Sequence, residues 1–259
     1  MMEKDLIRLD NYIDTHVHTA PDIKPRICSD RQAATTARNE NMAGLVIKCH
    51  VESTATRAWI AQKYSNIPVI GGICLNSSVG GINPSAVKIC AQLGGKIVWL
   101  PTISAGEIPL DSDKLEEILA LVRDYDLVLS TGHLGVENIF RVLDLAHSWN
   151  LKRILINHPL TGVIGATIDE QKEMSGYGYL EHCFVACMPQ HDGLEPQKIA
   201  RAIQEVGAQK CIMATDFGQT HNDIPVQGFK QFIQAMLNEG ITKKQIDTMC
   251  RDNPRNLLF

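Results

Sequence analysis

The sequence alternates short apolar runs with amphipathic segments, and the alternation repeats at intervals of roughly thirty residues. The apolar runs have the length and composition of strands, and the eight of them are 12–18, 44–50, 68–76, 96–102, 127–133, 153–158, 183–189 and 211–216. The segments between the runs have the residue spacing of helices. Strands that alternate with helices form βαβ units, and such units require a parallel sheet.

Several of the intervening segments begin with residues that favour a helix start. Ser29 precedes one segment, and Asn83 precedes another in which Pro84 occupies the first helical position. A third segment, from residue 111, places acidic residues in its first turn, where they favour the positive end of the helix dipole. After the last strand, two closing helices are predicted between residue 225 and the last residue.

Eight strand–helix units of this kind close into a (β/α)8 barrel of the TIM type. The chain has 259 residues, close to the ~250 typical of one such barrel, so we expect a single domain over residues 1–259. The alternative is an open, doubly wound parallel sheet. That fold normally carries a glycine-rich fingerprint after its first strand, whereas this chain has HTAPD at residues 18–22. The barrel is therefore the predicted fold.

Imidazole and carboxylate side chains are concentrated at the carboxyl ends of the predicted strands. Five of the nine histidines lie within the last three residues of a strand, and they are His16, His18, His50, His133 and His158. Asp216 ends the eighth strand. Because the active sites of these barrels lie at this rim, we expect the six side chains to meet there.

The first predicted strand shows why these histidines indicate a metal. In IDTHVHTAPD, Asp14, His16 and His18 share one face of the strand because strand side chains alternate. Inward imidazoles are costly in an apolar core unless their nitrogens are satisfied, and a metal ion satisfies them directly. An exposed strand with solvated histidines is the alternative for this segment alone. The concentration of such groups at one rim favours the metal centre.

The other four histidines receive different interpretations. His191 and His221 lie in loops at the same rim, where loops build the pocket, and His191 is predicted to contact substrate. His147 lies in the middle of a helix. His182 precedes the seventh predicted strand and is expected at the opposite rim.

The order of these groups along the strands resembles the metal constellation of the amidohydrolase superfamily of metal-dependent hydrolases. The resemblance rests on His16 and His18 on the first strand, with His133, His158 and Asp216 on the fifth, sixth and eighth. The ending NPRNLL is also similar to the NP/A-x-x-L endings of many members. The resemblance implies a barrel enzyme with one or two divalent ions. Zinc is the first choice, and manganese, iron or nickel are alternatives because imidazole and carboxylate ligands accept all of them.

One strand departs from the resemblance. Members with two metals often carry a carboxylated lysine or a glutamate on the fourth strand, where this chain has neither, since Lys96 stands at the strand's entrance. Lys48 on the second strand has the same parity as His50, and a lone ammonium beside a divalent cation would suffer repulsion and desolvation. We therefore expect carbon dioxide to convert Lys48 into a carbamate that bridges two metals. The alternative is an unmodified Lys48 that reaches an anionic substrate beside a single ion. The predicted ligands are His16, His18, Lys48, His133, His158 and Asp216.

The resemblance implies hydrolysis of an amide, lactone or phosphoester by metal-activated water. A catalytic zinc ion lowers the pKa of bound water to about 7, so hydroxide is supplied at neutral pH. Asp216 is predicted to border the metal and to carry the water proton to the leaving group. His158 or His133 is predicted to polarise the substrate oxygen. A polar or anionic substrate is expected, with contacts from Arg26, His50, Asn76 and His191.

The composition and charge of the chain limit the classes of binding partner that are expected. The net charge is −4 and the basic residues are scattered, so neither nucleic acid nor an anionic membrane is an expected partner. No apolar run approaches the ~20 residues that cross a bilayer, and the N-terminal segment lacks a secretory signal. We expect a cytoplasmic protein with reduced cysteines, a small-molecule substrate and a tendency to form a homo-oligomer.

Two other functions fit the same pattern. One is a metal-dependent decarboxylase or lyase on the same barrel. The other is a metal-binding barrel without turnover, which Asp216 argues against because a purely structural site does not need a spare base.

Overall fold

A computed structural model describes residues 7–107, 109–110 and 112–259. Its strands are β1 Ile13–His18, β2 Gly44–Lys48, β3 Val69–Ile70, β4 Gly72–Cys74, β5 Ile97–Trp99, β6 Val128–Ser130, β7 Ile154–Asn157, β8 Tyr179–Cys183 and β9 Cys211–Ala214. Its helices are α1 Asp30–Asn39, α2 Ala55–Ser65, α3 Pro84–Gln92, α4 Ser112–Asp124, α5 Val136–Ser148, α6 Ile168–Met174, α7 Pro196–Val206, α8 Pro225–Asn238, α9 Lys243–Asp247 and α10 Asn253–Leu258. The start of the N-terminal segment, which was predicted to carry no secretory signal, lies outside the described residues.

The strands follow one another in chain order around a ring, and every pairing is parallel. Only Gly71 separates β3 from β4, so the two short strands together occupy the third position. Thr54 joins β2 to β4, because its hydroxyl donates to the carbonyl of Ile47 and accepts from the N–H of Gly72. The predicted (β/α)8 barrel is confirmed.

The ring closes between the last strand and the first. The N–H of Asp216 donates to the carbonyl of His16, and the N–H of His18 donates to the carbonyl of Phe217, each at 2.8 Å. Asp14 adds a side-chain link, because its carboxylate accepts from the hydroxyl of Thr215 at 2.6 Å. These bonds bring residues about two hundred positions apart to the same rim.

The predicted helix starts are present where the structure describes them. Ser29 caps α1 in a reciprocal pair of hydrogen bonds with Gln32, and Asn83 accepts from the N–H of Ala86 at the start of α3. In α4 the acidic first turn is represented by Asp113, while Asp111 lies outside the described residues.

The lower part of the barrel is apolar. A buried cluster fills it, and its members are Ile13, Val46, Cys74, Ile97, Trp99, Val128, Leu155, Ile212, Leu257 and Leu258. The two leucines come from α10, so the end of the chain seals the apolar interior. All eight cysteines are free, as expected. Within the described residues, no helix has both the length and the apolar character needed to cross a membrane.

The seventh strand lies earlier than predicted. The predicted strand was 183–189, but β8 ends at Cys183 and the apolar run continues as a short 3-10 turn at Phe184–Cys187. Phe184 leaves the sheet to pack against Phe232 of α8, with ring centroids 5.0 Å apart. The prediction that His182 lies at the opposite rim is therefore wrong, because His182 is a buried residue near the carboxyl end of β8.

Candidate metal centre

Five imidazole rings form a closed circuit at the carboxyl rim of the barrel. The centroid distances are 5.3 Å for His16–His18, 4.8 Å for His18–His50, 5.9 Å for His50–His133, 4.9 Å for His133–His158 and 5.9 Å for His158–His16. They are the five histidines that the sequence predicted at strand ends. The structure places His16 and His18 on β1. The other three, His50, His133 and His158, lie within three residues after the ends of β2, β6 and β7.

Asp216 reaches two of these rings. Its Oδ1 lies 3.2 Å from Nε2 of His16 and 3.1 Å from Nε2 of His18. The residue has φ 54°, in the left-handed region that aspartate tolerates better than most side chains. Its backbone is held on both sides, since its N–H donates to His16 and its carbonyl accepts from the side-chain amide of Gln219. The carboxylate is thereby aimed between the two imidazoles.

Glu181, a residue that the sequence reasoning missed, determines which nitrogen of His16 is free. Its carboxylate accepts from Thr15 at 2.6 Å and from Asn157 at 2.7 Å, and its Oε2 lies 3.0 Å from Nδ1 of His16. Burial alone would raise the pKa of Glu181, but His16 and these donors hold that pKa below its usual value. The carboxylate therefore accepts a hydrogen bond from Nδ1–H of His16, which leaves Nε2 facing Asp216.

A lone pair on His16 Nε2 and a carboxylate oxygen of Asp216 are both acceptors, so at 3.2 Å they repel unless a positive group joins them. A divalent cation, an added proton on His16 or the ammonium of Lys48, 3.2 Å from Nε2, supplies that charge. A histidine that binds a metal through one ring nitrogen usually donates its other ring N–H to a carboxylate, a backbone carbonyl or water. The donor set consequently fits a divalent ion of the zinc class.

His158 also has its Nε2 lone pair free to bind a metal, but its partner at Nδ1 is a hydroxyl group. The hydroxyl of Thr161 donates to the His158 carbonyl at 2.8 Å, so its oxygen accepts from Nδ1 of the ring at 2.9 Å. The lone pair of His158 is therefore on Nε2, and the ring lines the cavity.

Burial keeps four histidines of the site neutral, and they are His18, His50, His133 and His158. It lowers the pKa of His18 and His158 to about 4 and that of His133 to about 2, and it lowers the pKa of His50 as well. Burial would raise the pKa of Asp216, but the neighbouring His16 and His18 hold it well below the usual range. At neutral pH these four imidazoles are neutral and the Asp216 carboxylate is ionised, the forms that bind metal.

Lys48 lies at the centre of the site and is fully buried. Its Nζ lies 3.2 Å from Nε2 of His16 and 5.6 Å from the ring centroid of Trp99. This position beside a predicted metal ligand is the one that the parity with His50 indicated.

Cys183 is a second residue that sequence reasoning did not place in the site. Its Sγ lies 3.7 Å from Nδ1 of His16, and ligand atoms of Cys183, His16 and Asp216 all lie within 4.8 Å of one another. Burial raises the pKa of its thiol well above the usual value. With β8 placed correctly, Glu181 and Cys183 would have been recognised as alternate residues on one inward face.

A cavity of about 240 Å³ opens above the histidines. Its lining includes His18, Lys24, Arg26, His50, Ile103, His133, His158, Thr161, Val163, Val185, His191, Asp192, Asp216 and Gln219. Three of the four predicted substrate contacts, Arg26, His50 and His191, are in this lining. Arg26 is also paired with Asp22, because Nη2 lies 2.7 Å and Nε 2.8 Å from the carboxylate.

Asn76, the fourth predicted substrate contact, lies behind the cavity wall. It is fully buried, and its side-chain amide donates to the carbonyl of His50 at 2.8 Å and to the hydroxyl of Thr102 at 2.6 Å. Its carbonyl oxygen accepts from the N–H groups of Thr102 and Ser104. Thr102 in turn contacts Nδ1 of His50 at 2.8 Å. Asn76 therefore positions His50 and the loop that contains Thr102 and Ser104.

The sequence matches the profile of a family of unknown function (DUF6282) over residues 11–111 and 109–181. The matched residues include β1 to β7, and therefore all five histidines of the circuit. No protein of curated function matches the sequence.

Solved structures share the barrel at low sequence identity. A probable 2-pyrone-4,6-dicarboxylic acid hydrolase from Acinetobacter baumannii, with citric acid bound, is 15% identical with a TM-score of 0.67, and the match covers 96% of this chain and 99% of that one. An amidohydrolase from Pseudomonas aeruginosa is 13% identical with a TM-score of 0.67, covering 96% and 95%. A 2,6-dihydroxybenzoate decarboxylase complexed with 2,6-dihydroxybenzoate is 11% identical with a TM-score of 0.63, covering 97% and 99%. The barrel fold implied by the resemblance to the amidohydrolase superfamily is thereby confirmed.

Proposed function

The chain belongs to DUF6282, a family of unknown function, and from the geometry of its own site we propose that it is a metal-dependent hydrolase of small polar or anionic substrates. The observation that carries the proposal is the approach of His16 Nε2 and His18 Nε2 to one oxygen of Asp216, with Glu181 behind His16. His133 and His158 complete the set of side chains that would hold the metal, with zinc as the first choice. When bound, such an ion supplies Lewis acidity and a nucleophile at neutral pH.

The residues around the ion take separate roles in the proposed reaction. Asp216, whose pKa lies well below its usual range, is ionised at neutral pH, and we assign it to accept the proton of the attacking water and to return it to the leaving group. The Nε2 lone pair of His158 makes that ring a better ligand than a donor to a substrate oxygen. His50 and Arg26 face the substrate from the cavity wall.

Lys48 is part of the proposal as a carbamate. In that reaction the lone pair of a neutral Nζ bonds to the carbon of carbon dioxide, and the nitrogen releases one proton. The product is an anion beside His16, where an ammonium would oppose a bound cation. It would allow two ions to share the site, whereas an unmodified Lys48 would favour one.

Lys24 and Arg26 both line the mouth of the cavity, with Arg26 paired to Asp22, and on this basis small carboxylates are the proposed substrate class. The related barrels contain citric acid in one case and 2,6-dihydroxybenzoate in another. The second of these is a decarboxylase, so loss of carbon dioxide from a carboxylate substrate is the competing activity.

The decisive experiment combines metal analysis with product analysis. Protein purified without chelator is assayed on amide, lactone and phosphoester panels in ¹⁸O-labelled water, and released carbon dioxide is measured in parallel. Hydrolysis places the label in the organic product, whereas decarboxylation releases carbon dioxide and leaves the organic product unlabelled. A variant with both His16→Ala and His18→Ala should lose most of the metal and the turnover. Full metal content in this double variant would place the metal elsewhere.

A further inference from the structure

Two exposed histidines approach each other at the mouth of the cavity. His191 lies in the loop between β8 and α7, and His221 lies in the loop between β9 and α8. Their Nε2 atoms are 3.4 Å apart, and their ring centroids are 5.5 Å apart. Without an ion the contact is a long N–H···N hydrogen bond, longer than the roughly 2.7–3.2 Å typical of N–H···O bonds.

The separation fits a shared tetrahedral metal ion. Two nitrogens bound to one zinc ion at about 2.0–2.1 Å with tetrahedral angles lie about 3.3–3.4 Å apart. Adjacent ligands of an octahedral ion with bonds of the same length lie only about 2.9 Å apart. The distance between His191 and His221 therefore favours a tetrahedral ion of the zinc class.

Both loops hold their histidine in place without a metal. The N–H of His191 donates to the carbonyl of Met188 at 2.9 Å, in a tight turn. Next to His221, the N–H of Asn222 donates to the carbonyl of Gln219 at 3.1 Å, and the side chains of these two residues are also hydrogen-bonded. An ion arriving between the rings would therefore have little backbone to order, which reduces the entropic cost of binding.

We propose that His191 and His221 form a second cation site, for zinc-class ions, at the mouth of the cavity. Asp216 and Asp192, which also line the cavity, add favourable negative charge near His191, while Lys24 opposes it. With two protein ligands, the site binds more weakly than the proposed metal centre at the barrel rim and leaves coordination positions to water. It is a feature separate from the proposed hydrolytic activity, and its ion would narrow the entrance to the cavity.

Calorimetric titration of zinc chloride into protein that retains its resident metal tests this site. Wild type should take up one further ion per chain. His191→Ala and His221→Ala should each weaken that uptake at least about tenfold, because loss of even an indirect metal partner costs about 10–100-fold in affinity. His147→Ala, which removes an exposed histidine from α5, should bind as wild type does.

His221→Gln guards against a change of fold, because it keeps the length of the side chain without the imidazole, and it should behave as His221→Ala does. The double variant His16→Ala, His18→Ala should lose resident metal yet keep the weak uptake, which separates this proposal from the proposed function. Absence of further zinc uptake by wild type, or equal uptake by wild type and both alanine variants, would overturn the second site.

Discussion

At the scale of single residues, the site depends on which atoms each side chain leaves free. Asp216 is aimed by a left-handed backbone, and Glu181 fixes the proton of His16 on Nδ1. Thr161 does the same for His158 with a hydroxyl in place of a carboxylate. None of these assignments can be read from the spacing of histidines, because they depend on backbone conformation and on hydrogen-bond partners, which for His16 come from another strand.

Asp216→Asn tests the proton transfer. The substitution keeps the size and one oxygen of the side chain but removes the base, so turnover of an identified substrate should fall about 10²–10⁴-fold, as for loss of a general base. The melting temperature of the metal-loaded variant should stay near that of wild type. Metal content must be measured alongside, because loss of the ion would mimic loss of the base. Turnover near wild type in a metal-loaded variant would defeat the assignment.

Lys48→Ala tests the carbamate. Metal content should fall from two ions towards one per chain and turnover should be lost, with partial recovery on addition of a short-chain carboxylate. Wild type equilibrated with ¹³C-labelled carbon dioxide should show a carbamate carbon signal by NMR that the variant lacks. Lys96→Ala is the matched control, because Lys96 lies at the entrance of β5 and pairs with Asp126. An unchanged metal content and no carbamate signal in wild type would leave Lys48 unmodified.

At the scale of elements, the strand and helix pattern was predictable wherever one type of residue dominated. Seven strand positions agree with the apolar runs, since buried parallel strands are apolar on both faces. β8 was not predicted at its true position because its sequence, YLEHC, carries the polar residues Glu181 and His182 in its middle. The following segment FVAC is apolar, but it leaves the sheet and packs against α8. Glu181, one of the polar residues that made this strand hard to predict, is also the residue that contacts His16.

Glu181→Gln tests the contribution of β8. The amide keeps the shape and can still accept from Thr15, but it removes the charge that holds the Nδ1 proton of His16. Metal affinity should fall about 10–100-fold, the usual cost of losing the group behind a metal-binding histidine. Competition with a chromophoric chelator measures this change. Glu173→Gln, the same change of charge at an exposed residue of α6, serves as a control for altered charge alone, and equal affinity in Glu181→Gln and wild type would contradict the role given to Glu181.

At the scale of the whole molecule, the buried histidines make the stability of the metal-free protein depend on pH. Burial lowers the pKa of His18, His158 and His182 to about 4 and that of His133 to about 2. In the unfolded chain these groups titrate near 6.5. Below that value the unfolded chain binds protons that the folded chain refuses, so stability is lost as the pH falls.

We therefore expect the free energy of unfolding of metal-free protein to decrease between about pH 6.5 and about pH 4, by up to about 1.4 kcal/mol per pH unit for each such histidine. Asp14, whose pKa burial raises to about 7, acts in the opposite direction, but it is one group against four. Denaturant titrations across this range measure the slope, and His182→Leu should reduce it. A stability that stays level or rises towards pH 4 would contradict the prediction.

The backbone bonds that close the ring also set an order of events during synthesis. His16 and His18 leave the ribosome early, but Asp216 and the partners that hold it follow about two hundred residues later. A nascent chain therefore has half of the ligand set long before the other half exists. Tight binding of the proposed ion would have to wait for the last strand to dock against the first, so the ion would be acquired at the end of folding and would stabilise a barrel that is already complete.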